Sequence, residues 1–204
     1  MNMTMRQAKR QVHDKAIICA MLDRMEILYL GMNDGDAPYV VPLNFGYDFG
    51  DELIFYFHCA KDGHKVNCLE RDPHVCATAA SFVSYAQASV RGHRHDYRSV
   101  IARGVAQRID PEREPDAFRH AMVRILEHNH RPAGDVDTPV MKYTALWRVV
   151  CRAQDVTAKA EIPPASVEEV PFSTKTGDGV AHDDSHILDM QKELAAGAKT
   201  EAGK

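Results

Sequence analysis

Residues 39–65, YVVPLNFGYDFGDELIFYFHCAKDGHK, constrain the fold more than any other stretch of the chain. Residues 39–47 are rich in β-branched and aromatic side chains, 48–51 (DFGD) form a turn signal, and 52–58 alternate bulky side chains again, so the pattern predicts a β-hairpin. Lys61-Asp62-Gly63-His64-Lys65 then opens a short helix over 63–71, ended at Asp72-Pro73 because a residue before proline is pushed out of the helical region. Asp62 is the expected N-cap, and Gly63 lets the backbone approach a ligand closely. The first amides of such a helix point, unpaired, into the space that Lys65 reaches. Oriented N–H groups beside an ammonium make a seat for an anion, and phosphate suits it best.

The order PLNFGYDFGDELIFYFHCAKDGHK, with YRSVIARG at 97–104 further on, resembles the split-barrel flavoproteins related to pyridoxamine 5'-phosphate oxidase, in the branch of the nitroimidazole-resistance proteins. The resemblance covers roughly the first three quarters of the chain. It implies a mainly β fold, a six-stranded antiparallel split β-barrel with peripheral helices, working as a homodimer with cofactor sites at the subunit interface. FMN is the implied cofactor, with FAD or haem as alternatives. The implied function is a flavoprotein oxidoreductase that reduces a small oxidised substrate such as a nitro compound or quinone. A haem- or flavin-binding module without turnover and a deazaflavin-dependent reductase are the other readings.

Carried over residue by residue, the resemblance makes Lys65 the flavin phosphate ligand. Ser99 offers a hydroxyl to the same phosphate, with Tyr97 and Arg98 nearby. The backbone of Leu43, Asn44 and Phe45 runs along the edge of the isoalloxazine ring, where a strand supplies N–H and C=O partners without needing a particular side chain. Phe57 and His58 lie beside the cofactor. His64 faces bound substrate and delivers a proton, a task suited to an imidazole titrating near neutrality. If a porphyrin replaces the flavin, His58 or His64 is the axial ligand. The terminal motif of pyridoxamine phosphate oxidases is missing, which assigns Trp147 to core or subunit interface and leaves pyridoxine phosphate oxidation unsupported.

Composition narrows the function classes. The 204 residues suit one domain with a core that needs no disulfide staples. A net charge of -4 and the lack of a dense basic run argue against a nucleic-acid partner. Hydrophobic residues make up 45% of the chain, yet no apolar run approaches the ~20 residues that span a bilayer. The charged start is not followed by an apolar segment, so a cytoplasmic protein is expected. Five cysteines without a Cys-x-x-Cys pair read as reduced, buried thiols. No metal site is expected, because His93 and His95 find no third ligand at matching spacing.

The remaining elements follow from periodicity. An amphipathic helix is predicted over 6–25, where Val12, Ala16, Ile17, Ala20, Met21 and Met25 form a stripe. Strands are expected at 26–32, 74–82, 97–109 and 141–157, with a turn at 33–36 and Gly104 as a bulge. Residues 83–96 read as a long loop, 111–129 as a second helix, and 131–138 as another loop. The expected division is a barrel domain over 1–158 and an irregular extension over 159–204. Within that extension the proline segment 163–172 is either loose or an arm on a partner subunit.

Overall fold

In a computed structural model of the chain, the structure describes residues 5–86, 94–132 and 143–170. Asp14 caps the first helix by accepting from the Ile17 amide at 3.1 Å, so α1 (Lys15–Leu22) starts later than the apolar stripe suggests. Upstream of that cap, Val12 belongs to a two-residue strand, β1 (Gln11–Val12). β2 (Leu28–Asp34) and β3 (Ala37–Leu43) form a tight hairpin. At its turn Gly35 has φ 77, and its amide donates to the Asn33 side chain at 3.2 Å.

The expected hairpin over 39–58 is different in detail. Its first run breaks after Leu43: β3 pairs backward with β2, while β4 (Gly46–Phe49) pairs forward with β5 (Glu52–Ala60). After β5 comes α2 (His64–Arg71), then β6 (His74–Ala86) and β7 (Arg94–Ile109). These two long strands take up both ends of the predicted loop 83–96, at 83–86 and 94–96, and residues 87–93 of it lie outside the described residues. The ladder between them shifts register at Phe82/Ser84, not at Gly104. Gly104 serves close packing instead, since a Cβ there would stand 2.5 Å from the Val150 carbonyl oxygen.

α3 (Pro115–His128) follows, with proline at its first turn. The loop expected at 131–138 falls almost wholly outside the described residues. The predicted last strand is two: β8 (Thr144–Arg152) and, past a 3-10 turn, β9 (Val156–Ala160). Among the described residues, nine strands join one antiparallel sheet of order β3-β2-β6-β7-β8-β5-β4, with β9 attached to β7 and β1 to β9. The path does not close on itself, as a split barrel requires. The six expected strands are the long ones, β2, β3, β5, β6, β7 and β8.

Alternation fills the interior. Leu28 and Leu30 of β2 stand opposite Ala79 and Ala77 of β6, large against small, and Leu53, Phe55 and Phe57 of β5 oppose Cys151, Val149 and Trp147 of β8. Each buried Leu or Phe contributes roughly 1.5–3 kcal/mol. A second cluster joins Phe118, Ala121, Met122 and Ile125 of α3 to the opposite face of β5 and β8 through Tyr56 and Leu146. Residues 161–170 pack on the same body: Arg10 pairs with Glu161 at 2.6 Å, and Val170 is buried.

Candidate functional site

The end of the barrel where β5 hands over to α2 gathers the groups with binding chemistry. Gly63, at φ 116, takes the N-cap position expected for Asp62, and no side chain caps the helix there. The first amides of α2 are therefore left to water or a ligand. Lys65 in that first turn is half-buried, with Nζ 5.9 Å from the centre of the Phe57 ring. Phe57 is fully buried and forms an apolar floor under the ammonium.

Two neighbours on β5 report the charge of Lys65. Crowding around the His58 ring, which still reaches solvent, and the nearby ammonium hold its pKa below the ordinary imidazole value. Cys59 projects to the other side of the strand. Burial raises its thiol pKa, while Lys65, the Trp147 indole N–H and Arg108 pull the other way. Arg108 and Trp147 reach this spot because Phe57, Trp147 and Arg108 occupy one row of the β5-β8-β7 ladder. Trp147 Nε1 lies toward the Cys59 sulfur but in no hydrogen-bonding geometry, and it is buried with no acceptor. An orphaned N–H of this kind costs about 1–3 kcal/mol, which an acceptor on a ligand would recover. Arg108 also approaches Glu70 of α2 at 3.5 Å.

His64 precedes Lys65 by one residue, about 100° round the helix. It therefore faces the β2–β3 hairpin rather than Phe57. Its Nε2 is 2.7 Å from Asp34 Oδ2, and its ring meets Tyr39 edge-on at 4.8 Å between centroids. The hydrogen bond from His64, with a second from Arg71, holds the Asp34 carboxyl below the usual carboxylate range.

Leu43, Asn44 and Phe45 form the crossing from β3 to β4. Asn44 Nδ2 donates to Asn129 Oδ1 at 2.9 Å, and Asn129 Nδ2 donates to the Phe45 carbonyl at 3.1 Å. The Phe45 ring is fully buried, 4.1 Å from the His128 ring and edge-on to Phe55. Tyr97, Arg98 and Ser99 lie in the first half of β7. Ser99 is buried between Ala80 and Lys159 in the ladder, Lys159 Nζ donates to the Tyr97 hydroxyl, and Arg98 donates to the Glu169 carbonyl at 3.1 Å. Ser99 is nine residues from Arg108 on β7, a span of about 30 Å of extended strand. Within one chain, Ser99 therefore lies well along β7 from Arg108, which stands on the Lys65 side of the site.

The structure brings Lys65, Phe57 and His58 together and sets His64, Leu43–Phe45 and Tyr97–Ser99 around them at other stations. Arg108 and Cys59 join the site without having been singled out in the sequence. Their one signal is the two-residue alternation of β5, β7 and β8, odd positions in β5 and β8 and even ones in β7, which identifies a shared face only once the pairing register is known.

Comparison with known proteins agrees with this architecture. The candidate 5-nitroimidazole antibiotic resistance protein of Bacteroides thetaiotaomicron is 24% identical, with a TM-score of 0.59 over 74% of this chain and 86% of that one. The flavocytochrome Anf3 of Azotobacter vinelandii is 22% identical, with a TM-score of 0.57 over 82% and 77%. The FAD and heme binding protein of Mycobacterium smegmatis is 17% identical, with a TM-score of 0.58 over 84% and 82%. At these identities the likeness establishes the shared fold. No curated protein matches the chain. Residues 14–159 match the family model described as pyridoxamine 5'-phosphate oxidase, from the capping residue of α1 to the penultimate residue of β9, and the chain belongs to that family.

Proposed function

We propose that the chain is an FMN-dependent oxidoreductase that holds the flavin phosphate at the start of α2 and reduces a small oxidised substrate, a nitro compound or a quinone. The observation that carries this reading is Lys65, set in an uncapped first helical turn above the buried Phe57 ring, beside Arg108 and the orphaned Trp147 N–H. Cation and amides suit a phosphate, the aromatic floor suits an adjoining apolar ring, and the indole N–H suits a carbonyl or ring nitrogen. Bound flavin supplies hydride or single electrons. The protein's own part is to anchor, to exclude water and to hold a proton at His64 Nε2, which Asp34 orients. The names of relatives support a flavin, and two of them include haem or a cytochrome.

A homodimer belongs to this proposal. Ser99 lies well along β7 from Arg108 and the Lys65 site, a spacing that suits its joining a phosphate at Lys65 of a second copy of the chain. Haem is the second reading, favoured by one observation: His58 lies at the end of β5 beside Lys65, still reaching solvent, and crowding and the Lys65 charge disfavour its protonated form, which cannot ligate iron.

The visible spectrum of the purified chain separates flavin from haem. Lys65→Ala is expected to lose bound flavin at least tenfold in affinity while circular dichroism stays unchanged. A Lys65→Ala protein that retains its full flavin content overturns the assignment.

A further inference from the structure

We infer that Asp34, His64 and Cys68 form a binding site for a borderline-soft divalent metal ion, with zinc as the natural occupant. His64 and Cys68 are four residues apart on α2 and so project from the same face, one turn above the other. Asp34 ends β2 and is presented to that face by the tight turn at Gly35. Each residue offers one ligand atom, and these atoms all lie within 4.8 Å of one another.

The separations match a tetrahedral ion. Bond lengths of about 2.3 Å to sulfur and 2.0–2.2 Å to nitrogen and oxygen place ligand atoms about 3.3–3.6 Å apart. Cys68 Sγ is 3.8 Å from His64 Nε2 and 3.5 Å from Asp34 Oδ1, close to those edges, and because His64 meets the other carboxylate oxygen, Oδ2, the Asp34 carboxylate must turn to present one oxygen to both. His64 Nε2 and Asp34 Oδ2, at 2.7 Å, must separate by about 0.6 Å as their hydrogen bond gives way to the ion. One thiolate, one carboxylate and one neutral imidazole balance a dication. Sulfur and imidazole together select zinc over magnesium or calcium, which take oxygen.

The support around the ligands is also present. Arg71, on the next turn of α2, donates to the Asn33 carbonyl at 3.0 Å and to Asp34 Oδ1 at 3.1 Å, with the same nitrogen 3.8 Å from Cys68 Sγ. It fixes the carboxylate and stabilises a thiolate from the second shell of contacts, a role that outer partners of metal ligands commonly fill. Its own charge leaves the occupied site at +1. Cys68 is buried, whereas the His64 side chain is 57% exposed, so the fourth position opens to solvent and takes water. On coordination the Cys68 thiol proton leaves to solvent, and the imidazole carries its remaining proton on Nδ1.

The same His64 nitrogen cannot bind an ion and hold a proton, so an occupied site withdraws His64 from proton transfer. The metal site itself stands whether or not a flavin sits at Lys65. The full chain, stripped with a chelator under reducing conditions, is titrated with cobalt(II), whose thiolate charge-transfer absorption in the near ultraviolet and intense tetrahedral visible bands report the ligand set. One equivalent is expected to produce both, and zinc is expected to displace them. Cys68→Ala should abolish the charge-transfer band, and His64→Ala should weaken cobalt binding at least tenfold, with folding checked by circular dichroism. Cys19→Ala, at a distant thiol, should leave both features intact. Lys65→Ala should bind cobalt normally while losing flavin, which keeps the two readings separable. Absence of a thiolate band at stoichiometric cobalt, or its persistence in Cys68→Ala, overturns the site.

Discussion

Gly104 shows how much one absent side chain can carry. A Cβ there would stand 2.5 Å from the Val150 carbonyl oxygen and 2.6 Å from Cys151 Sγ. Backbone cannot swing aside as a flexible side chain can, so Gly104→Ala must push β7 and β8 apart beside Cys151, four residues along β7 from the row that carries Trp147 and Arg108. Overpacking of this kind costs about 1–3 kcal/mol. Urea unfolding should show a lowered midpoint with an unchanged slope; an unaltered midpoint would mean that the strands have room to spare. The glycine was noticeable in the sequence, but its reason was not. A bulge is a local event readable from neighbours, whereas this contact is with residues more than forty positions later. Cys151 is fully buried there, and that burial pushes its thiol up to about 12.

At the scale of elements, α3 is fastened to β4 through one carboxylate. Asp48 accepts from His120 Nε2 at 2.6 Å and from the Tyr56 hydroxyl at 3.0 Å, and it forms an ion pair with Arg124 Nε at 2.9 Å, whose N–H groups donate to the Tyr47 carbonyl. Partial burial raises the Asp48 pKa, but the hydrogen bonds from His120 and Tyr56 and the Arg124 charge outweigh it, and the net direction is down. A carboxyl depressed in the folded state contributes stability that is complete above its unfolded value, about 4, and disappears as pH falls through the folded one. Thermal melts from neutral to acid pH should therefore steepen in their loss below about pH 4, and Asp48→Asn should flatten that segment while lowering stability at neutral pH. Equal slopes in the two proteins would remove Asp48 from the account. The elements themselves were legible where local chemistry decides them. Pro115 and the Phe118, Met122, Ile125 stripe mark α3, and Asp72-Pro73 ends α2 where expected. Legibility failed where tertiary pairing decides. Residues 39–47 look like one strand, yet Asn44 is drawn to Asn129 and the run divides between two partners. Residues 83–86 and 94–96 lack apolar periodicity, yet they pair as the far end of a long ribbon.

At the scale of the molecule, the sheet stays open and one of its faces carries exposed apolar side chains. Tyr29 and Val40 are 46% and 55% exposed, and with Val105 they border a broad groove of about 1310 Å³ that also includes Cys76, Arg103 and Val150. A second copy of this chain, meeting it across a two-fold axis, would bury the same patch on both partners, and a stable contact needs roughly 800 Å² from each. That arrangement also answers the spacing of Lys65 and Ser99, because a site shared between chains does not require both ends of β7 to meet in one. The consequence is a dependence of flavin binding on assembly. Val40→Lys places a charge beside the groove and should raise the dimer dissociation constant at least about tenfold. Sedimentation across a concentration series would read this directly, with flavin occupancy followed by absorbance in the same cell. In the expected outcome Val40→Lys loses dimer and flavin together, whereas Lys65→Ala loses flavin and stays dimeric. A wild-type chain that sediments as a monomer with its flavin fully bound would instead place every phosphate contact within one subunit, leaving Lys65, Arg108 and the α2 amides to hold it without Ser99.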